Sequence, residues 1–187
     1  MKASVSSCFI IPIFLLVFFC ETIPSETAPG NSGLITKTCK RVAKTSSNID
    51  YATCVTSLQS ARGSKSADLR GLAVIASNLA LINATRSRRK AENLRKKALD
   101  RYNRVRLEAC EELYSDAISE LRDAAMAFRS KKDSEANILL SAAYTDADTC
   151  EDSFAEMEGH VSPLTKQNKN LSRLCVIGLA ISKFLGA

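Results

Sequence analysis

The chain has 187 residues, room for a single domain, and with 26 Lys and Arg against 20 Asp and Glu it is formally +6. Its 45% hydrophobic and 25% charged residues exclude general disorder, and seven glycines with four prolines are too few for the many turns of an all-β fold. One histidine, His160, excludes His-rich zinc sites and leaves His-based catalysis a single candidate.

The first element is an address. Lys2 precedes an apolar run from Ile10 to Phe19, interrupted only by Pro12. About ten residues fall short of the roughly 20 that span a membrane, and fit the apolar core of a secretory signal peptide over residues 1–25. A signal anchor is the alternative. Cleavage between Cys20 and Pro29 removes Cys8 and Cys20. The expected product is secreted to the apoplast or cell wall, ahead of the vacuole, and leaves the membrane behind.

Next come two short stretches, Leu34 to Ala43 and Asp50 to Ser60, separated by Ser46-Ser47-Asn48. They read as a helical hairpin over residues 34–62, with the segment from Ser60 to Ser66, containing Gly63, as its hinge. Four longer apolar stripes follow at intervals of three and four, the spacing of one helix face. The first runs Leu69, Leu72, Ala73, Ala76, Leu79, Ala80. The second runs Cys110, Leu113, Ala117, Ile118, Leu121, Ala124, Ala125, Phe128. The third runs Ala136, Leu139, Leu140, Ala143, Ala147, Cys150, Phe154, Met157, and the fourth Leu164, Leu171, Leu174, Gly178, Ile181, Leu185. The predicted fold is all-α: an antiparallel four-helix bundle over residues 66–187 behind the hairpin.

The breaks supply candidate caps. Ser66 is the expected cap of the first long helix, Asp100 marks the weak boundary before the second, and Asp133 or Ser134 caps the third. Gly159 suits a left-handed turn after the third helix. Ser162 is the expected cap of the fourth, with Pro163 in its first turn.

Five cysteines remain after cleavage, an odd number in an oxidising compartment. In an antiparallel pair, residues equidistant from the turn lie level. Positions 110 and 150 are centred on Ser130, at a polar turn, and 39 and 54 are centred between Ser46 and Ser47. Both pairs can reach the roughly 5.5 Å Cα separation of a disulfide. The expectation is Cys39–Cys54 and Cys110–Cys150, with Cys175 free. Two sequons, at Asn83 and Asn170, are candidate glycan acceptors, although both fall in helical stretches.

Charge is unevenly spread. Arg86 to Arg106 holds ten Lys and Arg against Glu92 and Asp100, whereas Glu108 to Glu158 holds fourteen acids against four bases. The plain reading is two solvated helix faces that attract one another. The sharper one is a polyanion face; secretion and the lack of interleaved aromatics point away from nucleic acid and toward an acidic cell-wall polysaccharide. No nucleophile elbow, HExxH or P-loop occurs, no C-x-x-C spacing suggests a metal or redox pair, and paired carboxylates such as Glu111-Glu112 lie where helices face water. No enzymatic activity, cofactor or metal is expected.

Several strings converge on one family: Thr38-Cys39-Lys40, Tyr51 with Cys54, Asp68-Leu69-Arg70-Gly71-Leu72, Cys110, Thr149-Cys150-Glu151-Asp152-Ser153-Phe154 and Ser162-Pro163-Leu164-Thr165-Lys166-Gln167-Asn168. With the cysteine framework, they make the chain from about Thr38 to Ala187 resemble the plant invertase inhibitor and pectin methylesterase inhibitor family, most of all its plane pollen allergen type. The resemblance implies a non-enzymatic secreted protein that docks 1:1 on a carbohydrate-active enzyme, pectin methylesterase or invertase, and blocks its active-site cleft. It also implies the same two disulfides and a free cysteine in the last helix. Some members acting on invertase insert a Pro-Lys-Phe string near the start of the third bundle helix. The equivalent stretch here, Lys131-Lys132-Asp133-Ser134, has neither Pro nor Phe. Both targets therefore stay open, and Lys131, Lys132 and Asp133 are interface candidates whose plainer role is a turn and a helix cap.

Overall fold

The structure is a computed structural model and describes residues 32–156 and 159–187. The signal segment, residues 1–25, and Met157 lie outside the described residues. Six helices and no strands occur among them: α1 Ser32–Thr45, α2 Tyr51–Gln59, α3 Leu69–Lys97, α4 Arg101–Arg129, α5 Asp133–Ala155 and α6 Thr165–Leu185. Helices α3 to α6 form an antiparallel bundle in which α3 packs on α4 and α6, and α5 packs on the same two. The α1–α2 hairpin lies against α3 and α6.

Aspartates start three of the helices. The Asp50 carboxylate accepts from Thr53 N–H at 2.8 Å, Asp68 from Gly71 N–H at 2.7 Å and Asp100 from Asn103 N–H at 2.8 Å. Each satisfies one of the backbone donors a helix start leaves unpaired.

Three expected caps differ. Ser66 sits in a single 3-10 turn, Ser64–Ser66, and Asp68 caps α3 instead. Gly63 opens that turn at φ 82°, a left-handed conformation that disfavours a β-carbon. Asp133 is the first residue of α5 and no side chain caps that helix. Ser162 and Pro163 precede α6, which begins at Thr165; the Ser162 hydroxyl accepts from Leu164 N–H at 3.1 Å and closes the approach turn. In each case a side chain with capping chemistry lies one or two residues away from the cap position.

The core follows the stripes. Tyr114, Phe128 and Phe154 are its largest buried side chains. Around them lie small residues: Ala73, Ala76, Ala80 and Ala84 in α3, and Ala136, Ala143 and Ala147 in α5. Small residues let helix axes approach. At Gly178 there is no room for a side chain, since a β-carbon there would lie 2.9 Å from Leu140 Cδ1.

Two disulfides join these elements. Cys39–Cys54 ties α1 to α2 with Cα atoms 5.6 Å apart, and Cys110–Cys150 ties α4 to α5 at 5.0 Å. Cys175 is a free, buried thiol in α6. Arg41 of α1 stacks over the Phe184 ring of α6, 3.7 Å from its centre, and fastens the hairpin to the bundle.

Candidate docking site

The strings that carry the family resemblance turn out to be architecture. Around the Cys110–Cys150 bond, the Tyr114 hydroxyl of α4 hydrogen-bonds Asn168 Oδ1 of α6. Asn168 Nδ2 in turn donates to Glu151 Oε2 of α5 at 2.7 Å, and Thr165 Oγ1 donates to Glu151 Oε1 at 2.5 Å. Burial, with a smaller push from the Glu151 charge, raises the Tyr114 phenol well above its ordinary value. At the opposite end of the bundle, Arg70 forms a two-pronged pair with Asp133, Nη2 to Oδ2 at 2.8 Å, and also donates to the Phe128 carbonyl at 3.3 Å. The Asp133 side chain is thus spoken for. It holds the start of α5 against the start of α3.

That tether presents the α4–α5 turn. Lys132 N–H bonds to the Ala127 carbonyl at 2.9 Å and Lys131 N–H to the Phe128 carbonyl at 3.1 Å, the paired bonds of a Schellman closure. Its left-handed position is held by Lys131 at φ 60°, where glycine is the usual occupant. Lys132 forms a solvent-exposed pair with Glu135 at 3.1 Å.

Beside the turn, α4 and α5 leave a groove of about 540 Å³ lined by Asp123, Met126, Ala127, Lys132, Ile138 and Leu139 among others. Met126 is 49% exposed and Ile138 69%, so two large apolar side chains face water across one groove. Neither belongs to the stripes read from the sequence. Their only mark in the sequence is that each is an apolar residue off its helix's stripe. Further along the same helix pair, Glu120 and Asp146 face each other with one buried oxygen apiece lacking a hydrogen-bond partner. Burial, and then the neighbouring Asp146 charge, push Glu120 up to about 7, and burial raises Asp146 as well.

The other sequence candidates lie elsewhere. Asn83 and Asn170 are both half-buried in a groove between α2, α3 and α6. His160 is exposed, with its ring 4.6 Å from that of Tyr102. The described residues contain no group of three or more His, Cys, Asp or Glu able to hold a metal, and none of their helices is long and apolar enough to cross a membrane.

A model of the plant invertase/pectin methylesterase inhibitor family matches residues 33–181, which takes in both disulfides, the Arg70 tether and the Glu151 network. The chain belongs to that family. Members of the plant invertase/pectin methylesterase inhibitor family act on enzymes and are not enzymes themselves. A Platanus acerifolia protein named "Putative invertase inhibitor" is 40% identical over 173 residues, covering 92% of this chain and 97% of that protein. A "Pectinesterase inhibitor" of Actinidia deliciosa is 30% identical over 180 residues, covering 96% and 94%. Among solved structures, a mutant form of a pectin methylesterase inhibitor from Arabidopsis superposes with a TM-score of 0.65 at 24% identity, covering 82% of this chain and 96% of that one. That likeness concerns the bundle itself.

Proposed function

We propose that the chain is a secreted protein inhibitor of pectin methylesterase, acting in the apoplast or cell wall by 1:1 docking of its α4/α5 face over the enzyme's active-site cleft. The observation that carries the reading is the groove at the α4–α5 turn, where Met126 and Ile138 are held in water by a rigid frame. Exposed apolar side chains rimmed by charge are the common core of a protein interface. The 23 residues of α5 make a face about 34 Å long. Together with α4, about 20 Å of width brings it near the ~800 Å² per partner of a stable complex. Two disulfides and the Arg70 and Glu151 tethers fix that face beforehand, so little ordering is left for the docking step. Lys131 supports the same place: a strained lysine where glycine would be easier is a feature of functional turns.

Pectin methylesterase is favoured because a broad helix face needs no inserted string, and Pro-Lys-Phe is missing from Lys131-Lys132-Asp133-Ser134. Invertase is the second reading, favoured by the 40% identity to the Platanus protein. Titration of the oxidised protein against both enzymes at mildly acidic pH separates them. Stoichiometric loss of methylesterase activity alone is the expected result. Inhibition of invertase alone moves the reading to the second target, and inhibition of neither removes both.

A further inference from the structure

The bundle is electrically two-sided. Helices α3 and α6 together carry twelve Lys and Arg against one acid, Glu92, whereas α4 and α5 carry twelve Asp and Glu against five Arg. Sequence alone separates a basic stretch from an acidic one; packing adds the cations of α6 to those of α3. Lys90 shows the adjacency, reaching across to Gln167 Oε1 at 2.8 Å and the Pro163 carbonyl at 3.2 Å.

Some of these cations are engaged. Arg70 pairs with Asp133, Arg95 with Glu111 and Lys96 with Glu92, and Arg88 leans over α4 beside Glu108, Glu111 and Glu112. Arg86, Arg89 and Lys97 are exposed along α3, spread over about 16 Å of helix, and none has a carboxylate partner among the described residues. On α6, Lys166 is likewise exposed and unpaired, and the buried Nε of Arg173 has no hydrogen-bond partner. Between Arg86 and Arg173 lies a groove of about 310 Å³ whose lining mixes the polar Ser57, Asn83 and Asn170 with the apolar Leu79, Ile82 and Leu174. Hydroxyls and amides that both donate and accept are the groups that meet sugar hydroxyls, and the volume is at the lower end of ligand sites.

We propose that this α3/α6 face binds a polyuronate, a linear carbohydrate whose repeating charge is a carboxylate. The guanidinium and ammonium groups take the carboxylates, and the amide and hydroxyl groove takes ring hydroxyls. Helix α3 contains no aromatic residue, and the single one in α6, Phe184, is covered by Arg41. Base stacking, which single-stranded nucleic acid requires, has no platform here. The choice of polymer rests on the proposed target, since a pectin methylesterase leaves uronate carboxylates on the chain it works along. The face is on the opposite side of the bundle from the α4/α5 groove, so enzyme and polymer can be held together. Asn83 and Asn170 both head sequons, and a glycan on either would occlude the groove.

The test is affinity electrophoresis of the oxidised protein, freed of any N-glycan, through gels holding polygalacturonate or its fully methyl-esterified form. Retardation by the acid form only is expected, fading toward 1 M salt, where the screening length shrinks to about 3 Å. A variant carrying Arg86→Gln, Arg89→Gln, Lys97→Gln and Lys166→Gln should bind polygalacturonate about tenfold or more weakly. Its melting temperature and its enzyme inhibition should be unchanged, and a control with Arg88→Gln and Lys96→Gln should behave as the parent. Equal retardation of the fourfold variant, equal binding of the esterified polymer, or tighter binding of DNA or anionic vesicles would each overturn the proposal. Polymer binding by a protein that inhibits no esterase would leave this face standing and remove the proposed target.

Discussion

Glu120 and Asp146 sit across the α4/α5 seam, with Asp116 adding a third carboxylate nearby. Desolvation and mutual repulsion favour one shared proton. The folded pKa of Glu120, about 7, lies above the ordinary 4.5, so the folded chain holds more protons than the unfolded one between those values. Stability is therefore fully present below about 4.5 and declines as pH rises through 7. Thermal melts from pH 4.5 to 7.5 should show the midpoint falling, and Glu120→Gln should flatten the slope; an unchanged slope would remove the shared proton. Asn168, 3% exposed, makes a second residue-scale case. Asn168→Leu strands the Tyr114 hydroxyl, at a cost of about 1–3 kcal/mol. Adding Tyr114→Phe should recover part of that loss in denaturant titrations, because the stranded group is then gone.

The elements differ in what fastens them. The hairpin is closed on itself by Cys39–Cys54 and meets the bundle over a small surface, through Arg41 on Phe184 and buried Ile35, Val42 and Leu58. The bundle has a continuous core. Loop-closure entropy gives about 3 kcal/mol for the 15-residue separation of the first disulfide and about 4 for the 40-residue separation of the second. Cys39→Ala with Cys54→Ala should thus speed amide exchange in α1 and α2 and leave α3 to α6 protected. Cys110→Ala with Cys150→Ala should instead lower the global midpoint by about 10 °C. Identical exchange patterns for the two pairs would mean that hairpin and bundle open as one unit.

At the scale of the whole molecule, one side offers an apolar groove on an acidic helix pair and the other a row of unpaired cations. The framework between them has no reason to deform. Ile138→Asp should weaken inhibition of the target by about tenfold to a hundredfold, since it puts a charge at the centre of a contact that excludes water. Because Ile138 is 69% exposed, the melting temperature should stay within about 2 °C of the parent. Inhibition unaffected by Ile138→Asp and Met126→Asp together would move the docking face elsewhere.

Helices, their count and the level pairing of the cysteines were legible in the sequence because they are local. A period of 3.6 places Cys110 and Phe128 on one face whatever lies opposite, and an antiparallel turn at Ser130 fixes which residues are level. Asp133 was a fair cap by chemistry, and only the arrival of Arg70 from a helix 63 positions away turned it into a tether. Met126 and Ile138 acquired meaning only once α4 and α5 were side by side. The joining of α6's lysines to α3's arginines required the cyclic order of the bundle. Periodicity and turn symmetry are written into neighbouring residues, so the chain carries them unaided; what a surface presents depends on which helices become neighbours, and that is decided by packing.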